Sequence, residues 1–212
     1  MRYMILTLLL TVSLSAAETA VINYQSAYGA IERAGGRTER SSVNAPLSEG
    51  DTVRTLASTM VIEFSGGSRL KLTENSAVTL SAIRNERRIA LLAGSVFAKV
   101  AKLSGGAAFE ITTPNVVAAV RGTEFFFGFG REKDLWLCVN EGAVHVASSA
   151  AKREQTVKQG EGVFILGGTD ITAPKPYGWT KKLNWNMDAE KGDVREKGAI
   201  KSAYDMQRKN YD

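Results

Sequence analysis

The chain has 212 residues, 44% of them hydrophobic and 23% charged, with 27 Lys+Arg against 22 Asp+Glu and a formal net charge of +5. That composition is globular and excludes a disordered chain, a collagen-like fibre and a disulfide-stapled miniprotein. One Cys and one His exclude an internal disulfide, a Cys/His zinc cluster and a multi-histidine metal site, so neither a metal nor a cofactor is expected and only a purely carboxylate site stays open.

The chain opens with Arg2, an apolar run over residues 4–14, and the small residues Ser15, Ala16 and Ala17. A run of about ten apolar residues is too short to cross a bilayer, which takes about 20. Positive start, short apolar stretch and small-x-small ending together predict a signal peptide over residues 1–17, cleaved after Ala17. The expected location is therefore periplasmic or secreted. No later stretch approaches the ~18 apolar residues of a membrane helix, so no integral span is expected after cleavage. Lys and Arg are scattered rather than striped, and nucleic acid is not an expected partner. Weak attraction to anionic lipid or polysaccharide surfaces is the alternative use of the positive charge.

Residues 18–170 read as one all-β domain of about a dozen short strands. Met60, Ile62 and Phe64 alternate with Val61, Glu63 and Ser65; beyond Gly66-Gly67, Leu70 and Leu72 alternate with Arg69 and Lys71. Such a period of two predicts strands with one face to a core and one to water, joined by a hairpin turn. Val78 and Leu80 begin a further strand. Residues 89–93 and 95–100 flank Gly94, and residues 109–113 stop at Pro114-Asn115. Residues 116–120 and 124–128 flank Arg121-Gly122-Thr123. Leu135, Leu137 and Val139 precede Asn140-Glu141-Gly142, Val144 and Val146 follow it, and residues 163–166 close the series. An apolar-x-x-Gly-x-apolar pattern recurs around Gly50, Gly94, Gly142 and Gly160 at uneven spacing, suggesting similar stacked corners. A rolled, solenoid-like stack is the favoured arrangement, with a sandwich as the alternative. In residues 171–212, Ala173-Pro174-Lys175-Pro176 reads as a strand-breaking connector. A charged, partly helical or mobile tail follows, with Ile200, Tyr204, Gln207 and Tyr211 at helical spacing.

Several residues invite a functional reading. Gly122 suits a positive φ, Arg121 is expected to pair with Glu124 or a strand-end carbonyl or else to contact an anion or partner, and Thr123 to cap the corner. His145 is expected to point away from Val144 and Val146. Cys138 shares a face with Trp136, where the two would belong to a second buried layer. Phe125, Phe126 and Phe127 predict a strand buried on both faces. Were Phe126 and Trp136 exposed instead, they would make an apolar platform for a partner strand or a sugar ring. Trp179 and Trp185 are expected to cover an open end of the β domain or, alternatively, to form a partner hot spot. No phosphate-binding loop and no nucleophile elbow occurs, and the chain is expected not to be an enzyme.

The pieces LSEGDTVRT (47–55), MVIEFSGGSRLKLTENSAVTL (60–80), LLAGSVFAKV (91–100), FEITTPNVVAAVRGTEFFF (109–127), LCVNEGAVHV (137–146) and VKQGEGVFIL (157–166) resemble the FecR domain family. The most specific piece holds Thr113, Pro114, Arg121, Gly122, Thr123, Glu124 and Phe125. The resemblance implies an extracytoplasmic all-β module. In signalling members such a module senses an outer-membrane receptor and reports through a membrane span and a cytoplasmic segment to a sigma factor. Here a signal peptide alone precedes the domain, so sigma-factor regulation does not simply carry over. The expected function is a non-catalytic binding module outside the cytosol, linked to envelope signalling, with an envelope protein as partner; glycan or cell-envelope binding is the alternative.

Overall fold

A computed structural model describes residues 20–84, 86–102, 108–196 and 198–209; the signal-peptide reading and Tyr211 fall outside them. The described chain is all-β with one helix near its C-terminal end. Two sheets face each other. The ten-stranded sheet has the order β18-β17-β14-β13-β10-β7-β6-β1-β4, with β19 also pairing β17, and the nine-stranded sheet the order β16-β15-β12-β11-β9-β8-β5-β2-β3. The ten-stranded sheet comprises β1 (Ala20–Gln25), β4 (Pro46–Leu47), β6 (Met60–Phe64), β7 (Arg69–Leu72), β10 (Ser95–Lys99), β13 (Glu124–Phe129), β14 (Leu135–Glu141), β17 (Glu161–Leu166), β18 (Asp170–Ile171) and β19 (Lys175–Pro176). The nine-stranded sheet comprises β2 (Ala30–Glu32), β3 (Thr38–Arg40), β5 (Thr52–Arg54), β8 (Ala77–Ala82), β9 (Arg87–Ala93), β11 (Phe109–Thr112), β12 (Val116–Val120), β15 (Ala143–Ser148) and β16 (Arg153–Lys158).

One core fills the space between the sheets. Inward residues of the ten-stranded sheet (Ile62, Leu70, Leu72, Val96, Phe125, Phe127) meet those of the nine-stranded sheet (Val53, Leu80, Ile89, Ile111, Val144, Val146), all of them sealed from solvent. The predicted alternation therefore locates this core. The arrangement is a sandwich in which the chain passes from sheet to sheet every one or two strands. Almost every pairing is antiparallel; β9 and β11 pair in parallel.

The recurring glycines mark those passages. Gly50 lies between β4 and β5, Gly94 between β9 and β10, Gly142 between β14 and β15, and Gly160 between β16 and β17. Each step changes sheet, and all four glycines have positive φ. At Gly94 space is also limiting. A Cβ there would sit 2.3 Å from Ser76 Oγ and 2.6 Å from Asn75 O, inside a knot of hydroxyls in which Thr73 Oγ1 and Ser95 Oγ lie 2.8 Å apart and Ser76 Oγ donates to Ser95 O at 3.0 Å.

Two expectations need correction. Lys175–Pro176 does not break the sheet but pairs with Glu161 and Gly162 as a two-residue edge strand; proline is tolerated there because an edge strand needs no donor on its outer side. The segment beyond it, partly helical as expected, forms a packed layer. It contains short 3-10 turns at Gly178–Lys182 and Ala189–Lys191 and the helix α1 (Ala199–Lys209), and it lies on the outer face of the ten-stranded sheet instead of over an end of the domain.

The corners make a graded prediction. Gly94→Ala combines left-handed strain with a backbone clash and should cost about 2–4 kcal/mol. Gly160→Ala has nothing within 4 Å of the new Cβ and should cost about 1 kcal/mol. Urea denaturation of both variants measures the difference.

Candidate functional site

The ten-stranded sheet has a second buried face. Val61, Lys71, Phe97, Phe126 and Cys138 stand opposite one another across successive strands, with Trp136 opposite Phe164 one step along. Side chains of the C-terminal layer cover them: Tyr177, Leu183, Met187, Val194, Ala203 and Tyr204 are all buried against this row. Phe126 and Trp136 pack with their rings tilted by 40° and centroids 4.2 Å apart, and Phe97 meets Trp185 edge-on at 5.1 Å. The apolar platform proposed for Phe126 and Trp136 is therefore not a surface: both are sealed, because the chain supplies its own cover. Phe125, Phe126 and Phe127 are likewise all buried, as a strand packed on both faces requires. Trp185 is half-buried in this layer and donates Nε1–H to Thr180 O at 2.6 Å; Trp179 is half-buried with Lys182 Nζ 4.2 Å from its ring.

Lys71 is the residue that sequence reasoning missed. Its alternation with Leu70 and Leu72 places it on the supposed wet face, yet its side chain is sealed. The ammonium donates to the carbonyls of Asn184, of Asn186 at 3.1 Å and of Val194 at 3.3 Å, and lies 4.3 Å from the Phe97 ring. Burial pushes its pKa down from the ordinary 10.5 to about 8, against the attraction of Glu196, Glu124 and Asp193. A second anchor holds α1. Asp134 is buried; its carboxylate accepts from Arg208 at 2.7 Å and from Gly167 N–H at 2.8 Å. Tyr204 packs so close to Gly130 that a Cβ there would stand 2.1 Å from the ring. Tyr177 donates to Ala203 O at 2.8 Å. Cys138 lies beneath this layer, and burial pushes its thiol up to about 12.

The signature corner behaves differently. Thr113 sits at the β11–β12 turn, where its N–H donates to Val116 O at 2.8 Å, beside exposed Pro114. Gly122 has φ +126°. Thr123 caps the corner by donating to Ala143 O at 2.9 Å. Glu124 is buried and accepts from Asn140 and from Lys99, the latter at 3.3 Å. The expected Arg121–Glu124 pair does not form, since these partners occupy the carboxylate. Arg121 is exposed and, among the described residues, has no ion-pair or hydrogen-bond partner. It rims a groove of about 350 Å³ on the outer face of the nine-stranded sheet, lined also by Ala108, Ala119, Ala143, His145 and Thr156. His145 points outward as expected, half-exposed, with Nε2 3.5 Å from Glu154. Among the described residues no three of His, Cys, Asp and Glu gather as a metal site.

These features define a two-sheet module with one self-covered face and one open face. Residues 51–145 of the chain, from the residue before β5 to the middle of β15, match the family model described as FecR protein. The match is narrower than the resemblance, which covers roughly residues 21–166, and leaves the C-terminal layer outside it. A solved structure of a candidate anti-sigma factor from Parabacteroides distasonis has the same fold, with a TM-score of 0.52 and 15% identity over 59% of each chain. A second candidate anti-sigma factor structure from that organism aligns at a TM-score of 0.46 and 16% identity, over 61% of this chain and 57% of the other. The chain thus spans about three-fifths of the length of the structures it matches. A search of the curated proteins finds no match.

Two predictions follow from the geometry. The penalty for burying the Lys71 ammonium is full below pH about 8. It fades as pH rises towards 10.5, because the folded state releases its proton first. Wild-type stability measured against Lys71→Met, which does not titrate, should therefore rise between pH 7 and pH 10 in urea denaturation. At the corner, Arg121→Ala should change stability by less than about 0.5 kcal/mol, whereas Glu124→Ala should cost about 1–3 kcal/mol by stranding Asn140.

Proposed function

We propose that the protein is a non-catalytic interaction module acting outside the cytosol in cell-envelope signalling, and that it engages an envelope protein through the open face of its nine-stranded sheet. The observation that carries this reading is the division of labour within the family signature. Thr123, Glu124 and Phe125 are committed to the corner and the core, while Arg121 stands exposed and unpaired beside an alanine-floored groove. An unpaired guanidinium next to small apolar residues suits an acidic side chain or a chain-end carboxylate on an extended segment. The FecR match and the likeness of fold to a candidate anti-sigma factor support a regulatory rather than an enzymatic role. The leader over residues 1–17 supports export. The glycan alternative loses its main support, since Phe126 and Trp136 are buried.

Two measurements test this reading. The chain recovered from its native cells should lie outside the cytosol and begin at Glu18; an unprocessed cytosolic pool would refute export. A photo-crosslinking residue placed at Ala119 should then give a discrete protein adduct in intact cells. That adduct should disappear with Arg121→Glu and be absent when the probe replaces exposed Leu56. Adducts indifferent to Arg121, or none from Ala119, would refute the groove.

A further inference from the structure

The nine-stranded sheet ends on β16, six residues long, with β15 on one side and no strand on the other. The remaining sheet ends are different. At one edge of the ten-stranded sheet, β17 is closed off by β18 and β19, and Thr172 bonds both the N–H and the carbonyl of Phe164 between them. The outermost strands β3 and β4 have three and two residues. Among the described strands β16 is the long open edge, which is the kind of surface that pairs with another chain unless its charges prevent it.

The backbone groups that β16 offers follow from its neighbours. Ser149 N–H donates to Asn115 O at 3.0 Å, in phase with the Ala147–Val117 and His145–Ala119 pairs. Those residues of β15 therefore bond to β12, and the alternate ones, Val144, Val146 and Ser148, bond to Val157, Gln155 and Arg153 of β16. Glu154, Thr156 and Lys158 are left with N–H and C=O aimed outward. Lys158 N–H confirms the phase by turning to Glu161 Oε2 at 2.9 Å. The side chains of the same three residues are exposed.

We propose that β16 pairs antiparallel with β16 of a second copy, about a two-fold axis at Thr156. Outward-facing residues must meet outward-facing residues. Registers that set Glu154 against Glu154, or Lys158 against Lys158, oppose like charges. Registers that set Thr156 against either charge leave the charges unmatched. With Thr156 opposite Thr156, Glu154 faces Lys158 of the other copy on both sides of the axis. Thr156 then exchanges both its bonds with its counterpart, and each Glu154 N–H reaches a Lys158 carbonyl while Lys158 N–H stays on Glu161. The contact is confined to one strand and its flanks, so the expected dissociation constant is about 0.1–1 mM.

Sedimentation equilibrium of the full chain at low salt, up to about 2 mM subunit, tests the pairing. The wild type should dimerise. Glu154→Lys or Lys158→Glu alone should weaken the dimer at least about tenfold, and the double exchange should restore it. The double variant also controls for loss of the exposed Glu154–His145 contact. Thr156→Pro removes an outward N–H without touching the β15 pairing and should abolish dimerisation in a folded monomer. A wild type that stays monomeric at 2 mM, a dimer that survives Thr156→Pro, or a double exchange that fails to restore association would each overturn the proposal.

Discussion

A single ammonium group, that of Lys71, ties the family domain to everything that follows it in sequence. Taking a lysine charge out of water is costly unless its hydrogen bonds are replaced. Here three backbone carbonyls and an aromatic ring replace them. All three carbonyls come from residues 184–194, more than a hundred positions away. They converge on one point only if the intervening chain crosses the sheet along one path. Lys71 thereby fixes where the C-terminal layer lies, and the aromatic row beneath that layer is sealed by it. Without the layer, Phe97, Phe126, Trp136 and Phe164 would form an exposed patch of a kind that soluble monomers rarely tolerate. Asp134 with Arg208 and Tyr204 performs the same positioning for α1 from the opposite side of the row.

The inner core was legible in the sequence because a half-buried strand writes its geometry as alternation. Ile62, Leu70, Leu72, Val144 and Val146 are where period two places them. The outer core was not legible. Alternation identifies two faces but does not say that the second is wet, and a lysine between two leucines imitates a solvated position. The available signals were the unbroken apolar runs Phe125-Phe126-Phe127 and Leu135 to Val139, which require cover on both sides. Their cover comes from Tyr177, Leu183, Met187, Val194 and Tyr204, whose irregular spacing has no period because the segment between Gly178 and Val194 follows the sheet surface rather than a regular helix. Strand number was underestimated for a related reason: β2, β3, β4, β18 and β19 have two or three residues each, too few to establish any period.

The corner motif shows how one short signature can serve two ends. Gly122, Thr123 and Glu124 turn the chain from one sheet to the other and satisfy the polar groups that the turn would strand. Arg121 belongs to the same stretch but takes no part in that accounting. Sequence reading gave the arginine a partner in Glu124 because the two are close along the chain. In the fold, Lys99 and Asn140 reach that carboxylate from neighbouring strands of the same sheet, and the guanidinium turns to the opposite face. Separation of roles between residues three apart is a natural outcome where a strand changes sheet.

The placement of Cys138 has a chemical consequence. Thiol–disulfide exchange needs a thiolate and a line of approach for the incoming sulfur. Cys138 has neither, with its ionisation displaced beyond neutral pH and its sulfur roofed over by the C-terminal segment. The lone thiol is therefore guarded against cross-linking to a neighbour, and the shielding comes from a stretch of chain that lies outside the residues 51–145 of the family match.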